Sequence, residues 1–217
     1  MQVIDIAVDA VLFDLDGTLV DSTASVRRAW EAVAAELGVP LAEFEPHMHG
    51  IPGPQVFAAV LPAMPPDQAR ALAARMNADE ARDLDGVRPM PGALLAISGL
   101  PPSRWAIVTS GDHQLATARI AAAGLLRPQV LVTSDDVRVG KPDPECYLLA
   151  ASRLGHPPAR CLVVEDAPAG VAAGRAAGMP VLGVLTTYRH LDANLTAPDL
   201  STVDIRADGT QVRVTQR

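Results

Sequence analysis

Short apolar runs that break off into polar residues, most of them followed by a stretch of helical period, leave this chain few ways to fold. Ala10 to Phe13, Trp105 to Val108, Gln129 to Val132, Cys161 to Val164 and Val181 to Leu185 have the length and composition of buried strands. Between the later ones lie helical stretches, Asp112 to Ala123, Pro144 to Leu154 and Ala169 to Ala177, and Pro91-Gly92 opens another. Gly124 and Gly155 supply stop signals for the first two. Alternating strands and helices form βα units with a parallel sheet. The predicted fold class is therefore α/β.

Ser22 to Gly86 interrupts that rhythm. Val26, Ala29, Trp30, Val33 and Leu37 recur at helical spacing after a cap at Asp21 or Ser22, and Gly38 and Pro40 stop the helix. Trp30 lies on the apolar stripe, so packing is its expected role. Leu41 to Met64 is rich in proline and glycine after His47 and reads as short helices and turns. Ala69, Leu72, Ala73 and Met76 mark a helix from about Asp67 to Leu84. With no convincing strand among them, residues 22–86 are predicted to be an all-helical insertion. Residues 1–21 and 87–217 then form the core, which ends in a hairpin at about 203–215 around Asp208-Gly209.

Three of the apolar runs end in groups that can do chemistry. The first ends in Asp14 and Asp16, with Gly17 following at once; the second in Thr109, Ser110 and Gly111; the third in Glu165 and Asp166. In a parallel sheet these ends share one edge, where open α/β sheets place their ligands. Carboxylates gathered in one pocket cannot all stay ionised without compensation. A hard divalent cation resolves the conflict, and an all-oxygen donor set suits Mg²⁺. Lys141, set between Gly140 and Pro142, can aim at the same pocket. Thr109 to Gly111 precede a helix, where hydroxyls and free N–H groups form an anion site.

Composition removes several classes of function. The chain has 217 residues and a net charge of −7, which disfavours nucleic acid as a partner. No apolar run approaches the ~18 residues of a membrane span, and the acidic start, with Asp5 and Asp9, is unlike a signal peptide. Cys146 and Cys161 lack metal-site spacing and are expected to be reduced packing residues of a cytoplasmic protein.

Taken together, Asp14-Leu15-Asp16-Gly17-Thr18, Thr109, Lys141 and Glu165-Asp166 resemble, in order, the four motifs of the haloacid dehalogenase superfamily, phosphatase branch. Asp21-Ser22, Arg28-Ala29-Trp30, His49-Gly50, Ile107 to Gly111 and Val164 to Gly170 are similar to the small sugar- and polyol-phosphate phosphatases, of the 2-deoxyglucose-6-phosphate and hexitol phosphatase type. The resemblance implies a Rossmann-like core with residues 22–86 as a cap. It implies Mg²⁺-dependent hydrolysis of a small sugar or polyol monophosphate through an aspartyl phosphate. Asp14 would be the nucleophile and Asp16 the acid and base. Mg²⁺ would be held by Asp14, the Asp16 carbonyl and Asp166, with Glu165 behind them. Thr109, Ser110 and Lys141 would hold the phosphoryl group.

The expected partner is a small phosphorylated metabolite, without nucleic acid or membrane, and the chain is expected to be a monomer or weak dimer. Candidate cap contacts are Arg28, His47, His49 and Gln55, with His113 from the core; His49 can touch ligand or make a structural hydrogen bond, and His113 can touch substrate or face solvent. Two alternatives stand beside this reading. A β-phosphoglucomutase-like mutase usually carries a hinge histidine where this chain has Val26. A non-catalytic phosphometabolite-binding regulator would not need every catalytic position filled, as they are here.

Overall fold

The computed structural model describes residues 4–48 and 50–217. His49, a candidate substrate contact, lies outside them. In chain order the strands are β1 (Asp5–Val8), β2 (Ala10–Phe13), β3 (Val20–Asp21), β4 (Arg88–Pro89), β5 (Trp105–Val108), β6 (Val130–Val132), β7 (Cys161–Glu165), β8 (Val181–Val184), β9 (Leu195–Ala197), β10 (Val203–Asp208) and β11 (Gln211–Gln216). The α-helices are α1 (Thr23–Leu37), α2 (Leu41–Phe44), α3 (Gly53–Val60), α4 (Pro66–Glu80), α5 (Ala93–Ser98), α6 (His113–Ala122), α7 (Glu145–Leu154) and α8 (Pro168–Ala176).

Six strands form a parallel sheet in the order β6-β5-β2-β7-β8-β9. All four residues of β2 are buried, as are those of β5. Their side chains alternate between two apolar layers: Val11 and Phe13 pack with Ala96, Ile97 and Ile120, while Ala10 and Leu12 pack with Tyr147 and Val171. The chain moves outward from β2 through β5 and β6, then returns to β2's other side through β7. The order therefore reverses at β2, and the crevice at that reversal is where such sheets bind ligands. Asp14 is the first residue after β2.

Between β3 and β4 the described chain is helical. Helices α1 to α4 enclose an apolar cluster of their own, in which Trp30 lies 5.2 Å from Phe44 and 5.5 Å from Phe57 between ring centroids. That spacing suits tilted aromatic packing and agrees with the expected role of Trp30. The chain leaves the sheet domain along β3 and returns along β4, and the two pair antiparallel. Asp21 on β3 is paired with Arg88 on β4.

The structure departs from expectation in four places. Ser22 precedes α1 but makes no capping hydrogen bond; its hydroxyl donates to Asp16 instead. Helix α4 ends at Glu80, short of Leu84. The C-terminal hairpin, β10 and β11, is extended into a three-stranded sheet by β1. Strand β9 adds a sixth member to the main sheet. Among the described residues no helix is long and apolar enough to cross a membrane.

Candidate active site

Asp14 stands between the ends of β5 and β7, with its N–H bonded to the Val164 carbonyl at 2.9 Å. Its side chain is nearly buried and accepts from Lys141 Nζ at 2.6 Å. The same ammonium donates to Glu165 Oε1 at 2.7 Å and to the Val108 carbonyl at 3.2 Å. Lys141 is the only lysine in the chain and is 1% exposed. A long side chain crossing from a loop to the sheet edge thus ties the ends of β2, β5 and β7 together.

Glu165 is saturated. Lys141 and the Tyr147 hydroxyl, at 2.8 Å, donate to Oε1, and the N–H groups of Asp166 and Ala167 donate to Oε2. It holds Lys141 in place rather than reaching outward. The fit around it has no slack. A Cβ at Gly170 would fall 1.6 Å from Oε1 of Glu165, and one at Gly17, where φ is +87°, 2.0 Å from Oδ2 of Asp166. Gly170→Ala therefore tests the arrangement. In an ordinary helix this change gains up to ~1 kcal/mol, but forcing a methyl into a packed site costs ~1–3 kcal/mol. We expect a net loss of thermal stability, together with a fall of at least about tenfold in kcat as Lys141 is displaced. A rise in melting temperature with unchanged kcat would contradict the arrangement.

The electrostatics are those of crowded acids. Burial pushes Asp14 up to about 7, against the pull of Lys141 and with the charge of Glu165 adding to it. Burial, then the charges of Asp14 and Glu165, raises Asp166 well above the usual carboxylate range. Burial alone would lower Lys141, but the attraction of Asp14 and Glu165 outweighs it and holds the ammonium charged. One lysine is too little positive charge for three acids. Asp14, Glu165 and Asp166 each offer a carboxylate oxygen within 4.8 Å of the others. Since Glu165 is spoken for, Asp14 and Asp166 are the free oxygen donors, and their hardness fits Mg²⁺.

Thr109 and Ser110 follow β5 beside Asp14, as expected. The Thr109 hydroxyl accepts from the Gly111 N–H at 3.1 Å, and the Ser110 hydroxyl reaches the Gly50 carbonyl of the insertion at 3.4 Å. Asp16 also faces the pocket, with its carboxylate already engaged: Ser22 Oγ donates to Oδ1 at 2.8 Å and Arg119 Nη1 to Oδ2 at 2.9 Å. Arg119 and its second partner, Glu80, were not singled out in the sequence. Both are buried pocket residues, one from α6 and one from α4. Each breaks an apolar helical stripe: Arg119 follows Leu115 and Ala116, and Glu80 follows Leu72, Ala73 and Met76. That pattern is the signal that would have found them.

Of the proposed specificity residues, the structure brings none of the described ones into this pocket. Arg28 is committed to a bidentate pair with Asp83 at 2.6 and 2.8 Å. Gln55 borders a neighbouring cleft between the insertion and the loop around Gly140. His113 starts α6 facing solvent, with its ring beside Thr117. His47 closes a short turn in the insertion. The place of the mutase histidine, Val26, is an apolar part of the pocket wall.

Comparison with known proteins decides the family. A family model described as haloacid dehalogenase-like hydrolase matches residues 8–178. The chain is a haloacid dehalogenase-like hydrolase. It is 42% identical to hexitol phosphatase A of Escherichia coli over 202 residues, 89% of this chain and 88% of that protein. It is 34% identical to 2-deoxyglucose-6-phosphate phosphatase 1 of Saccharomyces cerevisiae, over 85% of this chain and 82% of the other. Among solved structures, a hydrolase from Pseudomonas syringae superposes with a TM-score of 0.79 at 28% identity, covering 88% of this hydrolase and 94% of its own length.

Proposed function

We propose that this hydrolase is a Mg²⁺-dependent phosphatase of a small sugar or polyol monophosphate, working through an aspartyl phosphate. The observation that carries the reading is Asp14 at the reversal of the sheet, gripped by the chain's single lysine and facing Asp166. Relatives named for hexitol and 2-deoxyglucose-6-phosphate hydrolysis support the substrate class.

In this scheme an Asp14 oxygen forms a bond to phosphorus as the bond from phosphorus to the alcohol oxygen breaks. Asp16 gives a proton to that oxygen, then takes one from the water that cleaves the aspartyl phosphate and releases inorganic phosphate. Lys141, the Thr109 hydroxyl and the Ser110 N–H donate to the phosphoryl oxygens, because phosphoryl transfer asks chiefly for positioning and charge neutralisation. Asp14, Asp166 and the Asp16 carbonyl would hold Mg²⁺, which when bound supplies the positive charge that one lysine lacks. Glu165 keeps Lys141 aimed. Residues 22–86 act as a cap that limits access to small substrates and excludes water. The two cysteines, buried and unpaired, suit a cytoplasmic enzyme.

The test is phosphate release from a panel of hexose, deoxyhexose, pentitol, hexitol and glycerol monophosphates. With Mg²⁺ we expect turnover on at least one, abolished by a chelator and restored by added Mg²⁺. Silence across the panel would overturn the substrate class. Turnover unaffected by exhaustive chelation would overturn the metal.

A further inference from the structure

Arg119 is the most unusual charge in the molecule outside the Asp14–Lys141 cluster. It is 3% exposed, rises from a core helix, and is held by Asp16 on one side and by Glu80, from the insertion, on the other. Both partners use terminal nitrogens. Its Nε–H is left over, and among the described residues Arg119 Nε is the only buried side-chain nitrogen or oxygen without a hydrogen-bond partner. Buried donors are rarely left unmatched, because desolvation without a replacement acceptor is unfavourable. Arg119 lines the pocket that contains Asp14 and Asp16; its Nε itself is closed off from solvent in this structure, so a substrate oxygen reaches it only with a shift of the side chain or of the insertion that covers it.

The surroundings say what kind of acceptor. One guanidinium already faces two carboxylates, so its charge is spent locally and a second anion gains little there. A neutral oxygen suits the site better. A hydroxyl oxygen can accept from Nε–H while its own proton goes to a neighbouring carboxylate. We infer that Arg119 is a specificity-determining residue whose Nε–H reads a hydroxyl of the substrate's polyol part, and that Glu80 positions it. This rests on the phosphatase reading and sharpens its substrate class to esters carrying a hydroxyl near the phosphate. Because Glu80 belongs to α4 and Arg119 to α6, the reader is assembled only where the insertion sits on the core.

The experiment compares kcat/KM for two esters: the polyol monophosphate turned over best, and an alkyl monophosphate of the same chain length with no other hydroxyl. Both need their leaving oxygen protonated, so damage to Asp16 alone lowers both alike. Arg119→Lys keeps the charge and loses the Nε–H. We expect the polyol-to-alkyl ratio to fall about ten- to a hundredfold, the worth of a hydrogen bond to a charged donor. Glu80→Gln should lower the same ratio by a smaller factor through a raised KM for the polyol ester. A ratio unmoved in Arg119→Lys, however far both rates drop, would reduce Arg119 to a support for Asp16 and overturn the inference.

The wild-type enzyme supplies a second measurement that does not depend on a variant folding. Among singly deoxygenated forms of the polyol ester, one should lose about ten- to a hundredfold, and a flat series would overturn the inference equally. Failure of the broader reading looks different, because wild-type enzyme would then release no phosphate from any polyol ester at all.

Discussion

Asp14→Asn should abolish turnover by about 10⁴-fold or more while the protein keeps its fold and loses no stability. The amide carries no charge and is a poor nucleophile, so the covalent step has no starting point. Retained stability follows from the surroundings. Asp14 shares a buried corner with Glu165 and Asp166, and among the described residues only Lys141 opposes them. Making one acid neutral relieves repulsion, and Lys141 keeps Glu165 as a partner at 2.7 Å. Phosphate release on the preferred ester and a thermal melt check both halves. Turnover within tenfold of wild type would end the covalent scheme. A collapse of the melting temperature would show Asp14 to be structural.

Lys141→Met should do the reverse to stability. The side chain is of similar length, but the cation that bridges Asp14 and Glu165 is gone. Removing one partner of a buried ion pair costs about 3–5 kcal/mol, which for a chain of this size lowers the melting temperature by roughly 10 °C. Turnover should fall at least about 10³-fold, since the phosphoryl oxygens lose their charged donor. The two substitutions remove opposite ends of one 2.6 Å contact. If they shifted the melting temperature equally, the contact would act as a simple pair and not as one cation shared among several acids. A Lys141→Met variant that melted with wild type would contradict the burial argument altogether.

The candidate site was legible because each strand that leads into it is short, apolar and abruptly polar at one end. Asp14, Thr109, Lys141, Glu165 and Asp166 all come from such edges or from the loop that faces them. The insertion was legible as helical because Val26, Trp30 and Val33, and later Leu72 and Met76, keep a helical period. What escaped was anything decided by contacts between distant segments. Strand β9, Leu195–Ala197, has a threonine at its centre and buries only its last residue, so no apolar run marks it. Strand β1 is half exposed and gains its partner, β11, from the far end of the chain.

Arg28 illustrates the same limit. Nothing in Arg28-Ala29-Trp30 reveals that Asp83, 55 residues on, will claim the guanidinium. Ser22 sits where a helix cap belongs, yet its hydroxyl turns to Asp16 because the chain bends back over the loop following β2. The pair of Arg119 and Glu80 was half visible, as two charges out of place on apolar stripes. Their meeting required the fold.

The solitary lysine has a practical corollary. Apart from the terminal amine, reagents that modify primary amines have one target in the whole polypeptide, and it is walled in by Asp14, Glu165 and Tyr147. Acylation at that position therefore serves as a one-site chemical clock for unlocking of the reaction centre. It should run slowly in the native enzyme and fast once the sheet edge opens, with the terminal amine as the single background to subtract.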